Sequence, residues 1–395
     1  MMSSNAGTES RFSGIGRNWA RLVLLVTAML MAASALFPMA PPKPPQAATG
    51  QLADAARSTA TTAAVDPNPD LTLYRRIIAR VAAGESYYPA IADLHRTSNF
   101  PLRPFIVVRL PTLAVMSAAL GMPVVKALLW SLLLGVAAAW WVRLDGAFAS
   151  SARRIIGLVM LIFGLIFNAH PEVAVVHEVW AGSLMALSWA IHRTAGGLRH
   201  WLPSLLLGLM AVLVRETALP FVLLMGAFAV WRRQWPEAAG WATVVLVFGV
   251  ALAVHADQVA AVTSLADPAS EGWNSYGGWP FFVFAMRRMT QLLLLPPWAG
   301  AALVPLILLG WASWRSSAGL FGLLLFSGYG LMLMVFGRPE NFYWALMVAP
   351  AFLLGLVFLP EALSALFAAA RQSVPSGVGP SRRVRGPKLA GLSAT

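Results

Sequence analysis

Long apolar runs interrupted by short clusters of arginine set the pattern of this chain from end to end. The first run, Leu22 to Phe37, follows Arg11, Arg17 and Arg21 and precedes the proline-rich stretch PMAPPKPP. A basic flank before an apolar core reads as a signal anchor with its N-terminus inside; because the core is short, a cleaved signal peptide is the alternative. Further runs are readable at about 123–142, 154–168, 173–191, 201–215, 218–231, 238–256, 294–314, 318–336 and 342–368, measured against the ~20 residues that cross a bilayer. With the anchor they make about ten spans. The runs at 201–215 and 218–231 are short and meet at RETALP, which predicts a turn inside the membrane rather than at its surface. Such breaks are tolerated where protein or water covers the backbone, as in substrate sites.

Between the anchor and the second span the pattern changes. Gln46 to Val65 is Ala/Thr-rich with almost no large apolar residue and reads as a tether. From Leu71 to Ala83, Leu73, Ile77, Ile78 and Val81 recur at helical spacing while Arg75, Arg76 and Arg80 take another face. That spacing predicts a short amphipathic helix on the outer membrane surface. A second such element is expected from Pro104 to Leu120, carrying Arg109 and Pro111. The chain therefore divides into a cytoplasmic N-terminus (1–18), an anchor (19–40), a first extracytoplasmic loop with amphipathic helices (41–122), a transmembrane bundle (123–368) and a basic, disordered cytoplasmic tail (369–395).

Composition agrees. At 395 residues, 58% hydrophobic and only 11% charged, the chain has more apolar surface than one soluble core can hide, so it is an all-α, polytopic membrane protein. The net charge of +13 would suggest nucleic acid in a soluble protein. Here the basic residues stand at span ends, and the loops RLDGAFASSARR, HRTAGGLRH and WRRQW place both termini inside. With no cysteine there is no disulfide, thiolate nucleophile or cysteine metal site, so histidines and carboxylates must carry the chemistry. No GxxxxGK[ST] loop, strand-borne GxGxxG or HExxH appears, which leaves ATP-driven transport, dinucleotide redox chemistry and zinc hydrolysis without support.

Asp70, after Pro69, reads either as a helix cap or as a general base at the membrane mouth. Asp66, before Pro67, shares that role or is a turn residue. His170 and Glu172 occupy the tip of NAHPEVAVVHEVWAG, with His177 and Glu178 one to two turns further on. A carboxylate that deep costs on the order of 3 kcal/mol unless paired, making Glu178 a site candidate or a structural partner of His177 or Arg215. Arg215, a guanidinium in an apolar helix, is an anion ligand or one half of that bridge; Glu216 beside it points about 100° away. Arg338 in FGRPENFYW is a second anion contact or an interface arginine. Tyr87 and Tyr88 in GESYYP, and Trp273, Tyr276 and Trp279 in EGWNSYGGWP, offer faces for sugar rings or belong to an interfacial aromatic belt.

An acid and amphipathic helices in the first outside loop (DLTLYRRIIARVAAGESYYP, then RPFIVVRLPTL), an acidic second outside turn (HPE) and an arginine at a mid-membrane break (RETALP) together resemble the GT-C superfamily of membrane glycosyltransferases. The resemblance spans Asp66 to Ala368. It implies a bacterial inner-membrane, cell-envelope enzyme whose donor is a polyprenyl-phosphate sugar and whose acceptor is an extracytoplasmic lipid, polysaccharide or protein. By the resemblance Asp70 is the base, Glu172 a second acid, and Arg215 or Arg338 the holder of the departing lipid phosphate. Asp66, Asp70 and Glu172 could gather a divalent cation, although several members of the superfamily need none. Two other readings use the same residues: a carrier or flippase for a lipid-linked or anionic solute, and a non-catalytic subunit of an envelope glycan assembly.

Overall fold

The computed structural model describes residues 10–37, 39, 69–148, 150–193, 197–272 and 275–372. Among them the chain is helical, with no strand beyond two isolated bridges. In chain order the α-helices are α1 (Arg17–Leu36), α2 (Pro69–Ala82), α3 (Tyr87–Thr97), α4 (Thr112–Leu120), α5 (Met122–Asp145), α6 (Ser151–Leu165), α7 (His177–Ile191), α8 (Leu202–Val214), α9 (Leu219–Trp231), α10 (Trp235–Val262), α11 (Gly278–Arg288), α12 (Pro297–Ser313), α13 (Ser317–Phe336), α14 (Ala349–Phe352) and α15 (Gly355–Arg371).

Six helical segments are long and apolar enough to cross a membrane: α1, α5, α6 with its 3-10 extension to Ala169, α10, α13, and 349–371, which joins α14 and α15. They carry exposed large apolar side chains such as Leu25, Leu134, Leu246 and Leu331. Water would penalise so much bare surface. The protein is a multi-pass membrane protein. Four further apolar helical segments, at Phe105–Leu120, Leu202–Val214, Glu216–Trp231 and Pro297–Ser313, are shorter.

Two of the expected elements differ in detail. Pro104 to Leu120 is not one amphipathic helix: Phe105–Val107 forms a 3-10 turn, Val108 is extended, and α4 begins only after Pro111. Proline pushes the residue before it out of helical geometry, and TLAVMSAAL is apolar nearly all round. The run read as one span at 342–368 is broken into a 3-10 segment Pro339–Met347, the short α14 and α15. Helices α3 and α11 were not anticipated. The first has Pro89 in its opening turn, where the missing N–H is not needed. The second, GWPFFVFAMRR, is too short to span, and its residues Phe281 to Met286 are all buried.

Glycines explain how the broken last segment fits. A Cβ on Gly182 of α7 would stand 2.2 Å from the Leu346 carbonyl oxygen, and one on Gly164 of α6 would stand 2.4 Å from that of Ala349. Gly310 of α12 is similarly pressed against Gly355. Three helices thus lack side chains where the irregular backbone passes. Trp311 fixes it further by donating its Nε1–H to the Phe352 carbonyl at 2.9 Å.

The amphipathic helices do more than float on a surface. Leu73, Ile77 and Ile78 of α2 pack with Tyr87, Ile91 and Leu94 of α3, with Leu102 and Val108, and with Val175 and Val259 from the bundle, forming a second small core. This cap closes one end of the molecule. The opposite end gathers arginines, with Arg153 paired to Glu361, Arg154 to Asp145 and Arg232 to Glu237. Helix α1 belongs to the bundle, because Ala20 packs with Leu309, Ala362, Leu366 and Ala369, and Arg21 donates to the Ala370 carbonyl at 3.2 Å.

Candidate functional site

A cavity of about 220 Å³ opens between the cap and the bundle. Four stretches far apart in sequence meet there: the first two turns of α2 supply Asp70 and Tyr74, the extended link before α4 supplies Arg109, and the start of the broken segment supplies Arg338, Glu340 and Tyr343. Ser270, from the link between α10 and α11, accepts from Arg338 Nη1 at 3.3 Å.

Arg109 is held from several directions. Its Nε donates to the Tyr74 hydroxyl at 3.3 Å and its Nη2 to the Tyr343 hydroxyl at 3.4 Å, while Nη1 stands 4.0 Å from Glu216 Oε1. These are long contacts, and two of the three acceptors are neutral phenols, so the guanidinium keeps capacity for an anion. Its backbone is pinned as well, because the Tyr87 hydroxyl donates to the Arg109 carbonyl at 2.7 Å. Arg338 reaches the cavity from the other side, paired through Nε to Glu340 at 3.0 Å.

Asp70 stands in the first turn of α2, open to solvent at the cavity mouth. The protein mass around its carboxyl raises its pKa above the ordinary carboxylate value, and the Arg109 charge pulls the other way. The open side limits that rise. His95 donates its Nδ1–H to the Pro101 carbonyl at 2.9 Å, since a carbonyl only accepts; burial lowers its pKa, so Nε2 is an acceptor at neutral pH. Asn341 is 5% exposed, and its amide nitrogen has no hydrogen-bond partner. Behind Tyr74, His177 is buried edge-on to that ring at 5.2 Å, both ring nitrogens unpartnered.

The other sequence candidates separate. Arg215 is 1% exposed and does not line the cavity: its Nε donates to Glu178 at 2.7 Å and its Nη1 to Glu216. The guanidinium assigned to a departing phosphate therefore directs its donors to two carboxylates of its own chain. Glu172 is paired with Arg75 outside the cavity, and the exposed His170 accepts from the Glu172 amide at 3.3 Å. Tyr87 is buried, and Tyr88 donates to His255 Nδ1 at 3.2 Å, a tautomer fixed by the His255 Nε2–H donating to the Val108 carbonyl at 3.1 Å. Tyr87 therefore has no face open to a sugar, and Tyr88 is half-buried. Tyr276 is exposed in a left-handed turn at φ 48°, and Trp279 donates to Ser34 of α1 at 2.9 Å. Asp66 and Trp273 lie outside the described residues.

The sequence reading gave Asp70 as the base and Arg215 or Arg338 as the phosphate holder; of these, Asp70 and Arg338 line the cavity and Arg215 does not. It missed Arg109, Tyr74, Glu340, Tyr343 and Asn341 as site residues. For Arg109 a signal existed: a permanent charge inside the apolar stretch FIVVRLPTLAV is a site candidate by default. Among the described residues no group of three or more His, Asp or Glu side chains converges to hold a metal ion. Asp70 lines the cavity, and Glu172 does not. No family model, no curated protein and no solved structure matches this chain.

Proposed function

We propose that this protein is a membrane glycosyltransferase of GT-C type, moving a sugar from a polyprenyl-phosphate donor to an extracytoplasmic acceptor. The observation that carries the reading is one cavity lined by Asp70 together with two guanidiniums, Arg109 and Arg338. A carboxylate can accept a proton, and paired guanidiniums suit a phosphate that gains charge as it leaves. Asp70 takes the proton of the acceptor hydroxyl, whose oxygen forms its bond to the anomeric carbon. The bond from that carbon to the phosphate oxygen breaks, its electron pair stays on the lipid phosphate, and the configuration inverts. Arg109 and Arg338 stabilise the phosphate, replacing the role that Arg215 held in the sequence reading.

In this arrangement α7, α8, α9 and α12 cross beside the six long segments, for about ten spans, and α4 stays in the cap. The cavity faces outside, and the arginine-rich end lies in the cytoplasm of a bacterial cell, as the positive-inside rule favours.

The test is the lipid-linked-sugar and glycan profile of a strain lacking the protein, complemented with wild type or Asp70→Asn. The expected result is loss of one glycan residue and accumulation of a polyprenyl-phosphate sugar on the outer face, restored by wild type alone. Accumulation on the inner face would identify a carrier instead. Restoration by both versions would remove Asp70 from the chemistry.

A further inference from the structure

At the end of the molecule opposite the candidate site, a second cavity of about 390 Å³ lies between the C-terminal ends of α5 and α7. Ala139, Val142 and Ala190 form part of its wall, and Arg143, His192 and Arg193 are its titratable lining residues, with no carboxylate among the described ones. The nearby carboxylates are already engaged. Asp145 is paired with Arg154, and Glu237 takes both His192, at 2.7 Å, and Arg232, at 3.6 Å.

Arg143 is built in. Its Nη1 donates to the carbonyls of Trp189, Ala190 and His192 at 2.8, 3.1 and 3.0 Å, covering the free acceptors at the C-terminus of α7. Those three bonds all come from one nitrogen, and its Nε is buried with no partner. Arg193, exposed on the rim, stands close enough for its charge to act on Arg143. Two like charges facing one hollow repel unless an anion joins them. The wall settles which anion. Val142 is exposed, as are Leu134 and Trp130 further along α5, so the hollow is continuous with a helix face built for hydrocarbon.

We propose that this cavity binds the phosphate headgroup of an anionic phospholipid, with the acyl chains along the exposed face of α5. Basic pockets between spans on the cytoplasmic side favour such headgroups. The site is independent of the transferase reading. It gives the protein a lipid ligand at the face opposite its reaction cavity.

The test uses the full chain in nanodiscs of phosphatidylcholine alone or with phosphatidylglycerol, reading thermal unfolding and, by native mass spectrometry, the lipid retained. Wild type is expected to unfold at higher temperature with phosphatidylglycerol and to retain it. Arg193→Gln, on an exposed rim residue that leaves the α7 carbonyls covered, should need about fivefold more of the lipid for the same shift, the factor that ~1 kcal/mol per arginine at an anionic surface gives. Arg233→Gln, an exposed arginine outside the cavity, should match wild type. An equal loss in both variants would mean diffuse surface charge and overturn the site. The same stabilisation from inorganic phosphate added to phosphatidylcholine discs would make it a soluble-anion site, overturning the lipid assignment. No response to phosphatidylglycerol would overturn it outright.

Discussion

Arg215 Nε donates to Glu178 Oε1 at 2.7 Å with both side chains 1% exposed, joining the break between α8 and α9 to the first turn of α7. Removing one partner strands a buried charge, which costs about 3–5 kcal/mol, whereas replacing a whole pair by apolar residues is often near neutral. Arg215→Met should therefore destabilise the protein by that amount in thermal or detergent-denaturation curves. The combined Arg215→Met, Glu178→Leu, Glu216→Gln variant should recover most of the loss. A stable Arg215→Met protein that no longer binds its donor would return Arg215 to the phosphate.

The raised pKa of Asp70 sets the acid limb of activity. A base must be deprotonated, so turnover should rise with pH through a value above the ordinary ~4 of an aspartate. Arg109 holds that value down, and Arg109→Gln should move the limb to higher pH in a pH–rate profile. For stability the sign is opposite. A folded-state pKa above the unfolded one contributes stability at low pH that is lost as pH rises through the folded value. Asp70→Asn should consequently be at least as stable as wild type at neutral pH, which separates lost chemistry from lost fold.

Asp267 receives Arg96 through Nε at 2.7 Å and Nη2 at 2.8 Å and also accepts the Ser264 amide at 2.7 Å, tying α3 to the link after α10. The Arg96 guanidinium holds its carboxyl well below the usual range. A depressed pKa contributes stability present above the unfolded value of ~4 and lost as pH falls through the folded one. Asp267→Asn should expose the cap to proteolysis at neutral pH, and limited proteolysis should show the difference from wild type shrinking as pH drops below about 4.

Gly182→Ala places a methyl group 2.2 Å from the Leu346 carbonyl oxygen. Overpacking of this kind costs about 1–3 kcal/mol, and here it pushes on the segment that delivers Arg338, Glu340 and Tyr343 to the cavity. Both melting temperature and turnover should fall. Gly249→Ala in α10, with nothing within 4 Å of the added methyl, should leave both unchanged.

The all-helical membrane class was legible because apolar runs and arginine clusters follow directly from the bilayer's demands, and the amphipathic period of Leu73, Ile77 and Ile78 placed α2 nearly to the residue. Asp70 and Arg338 were legible as charges at the ends of apolar segments. What stayed hidden was pairing. Arg215 satisfies itself with Glu178, 37 residues earlier, and with its neighbour Glu216, and no local pattern distinguishes a self-paired arginine from one awaiting a ligand. The break after Arg338 was read over as one span although Pro339 and Pro350 stand in PENFYWALMVAP as local signals of it; its close fit against α6 and α7 depends on Gly164 and Gly182, more than 150 residues away in the chain.

The packing of α1 has a consequence for biogenesis. Ser10 meets Ser313 across 303 residues of chain, and the partners of Ala20 lie on α12 and α15, at the far end of the sequence. At ribosomal rates of about 5–20 residues per second, roughly 15 s to a minute separates synthesis of the two contact surfaces. Helix α1, made long before α12 and α15, is thus among the last to find its neighbours, and in the interval lipid or an insertion chaperone must shelter the face that Ala20 will close.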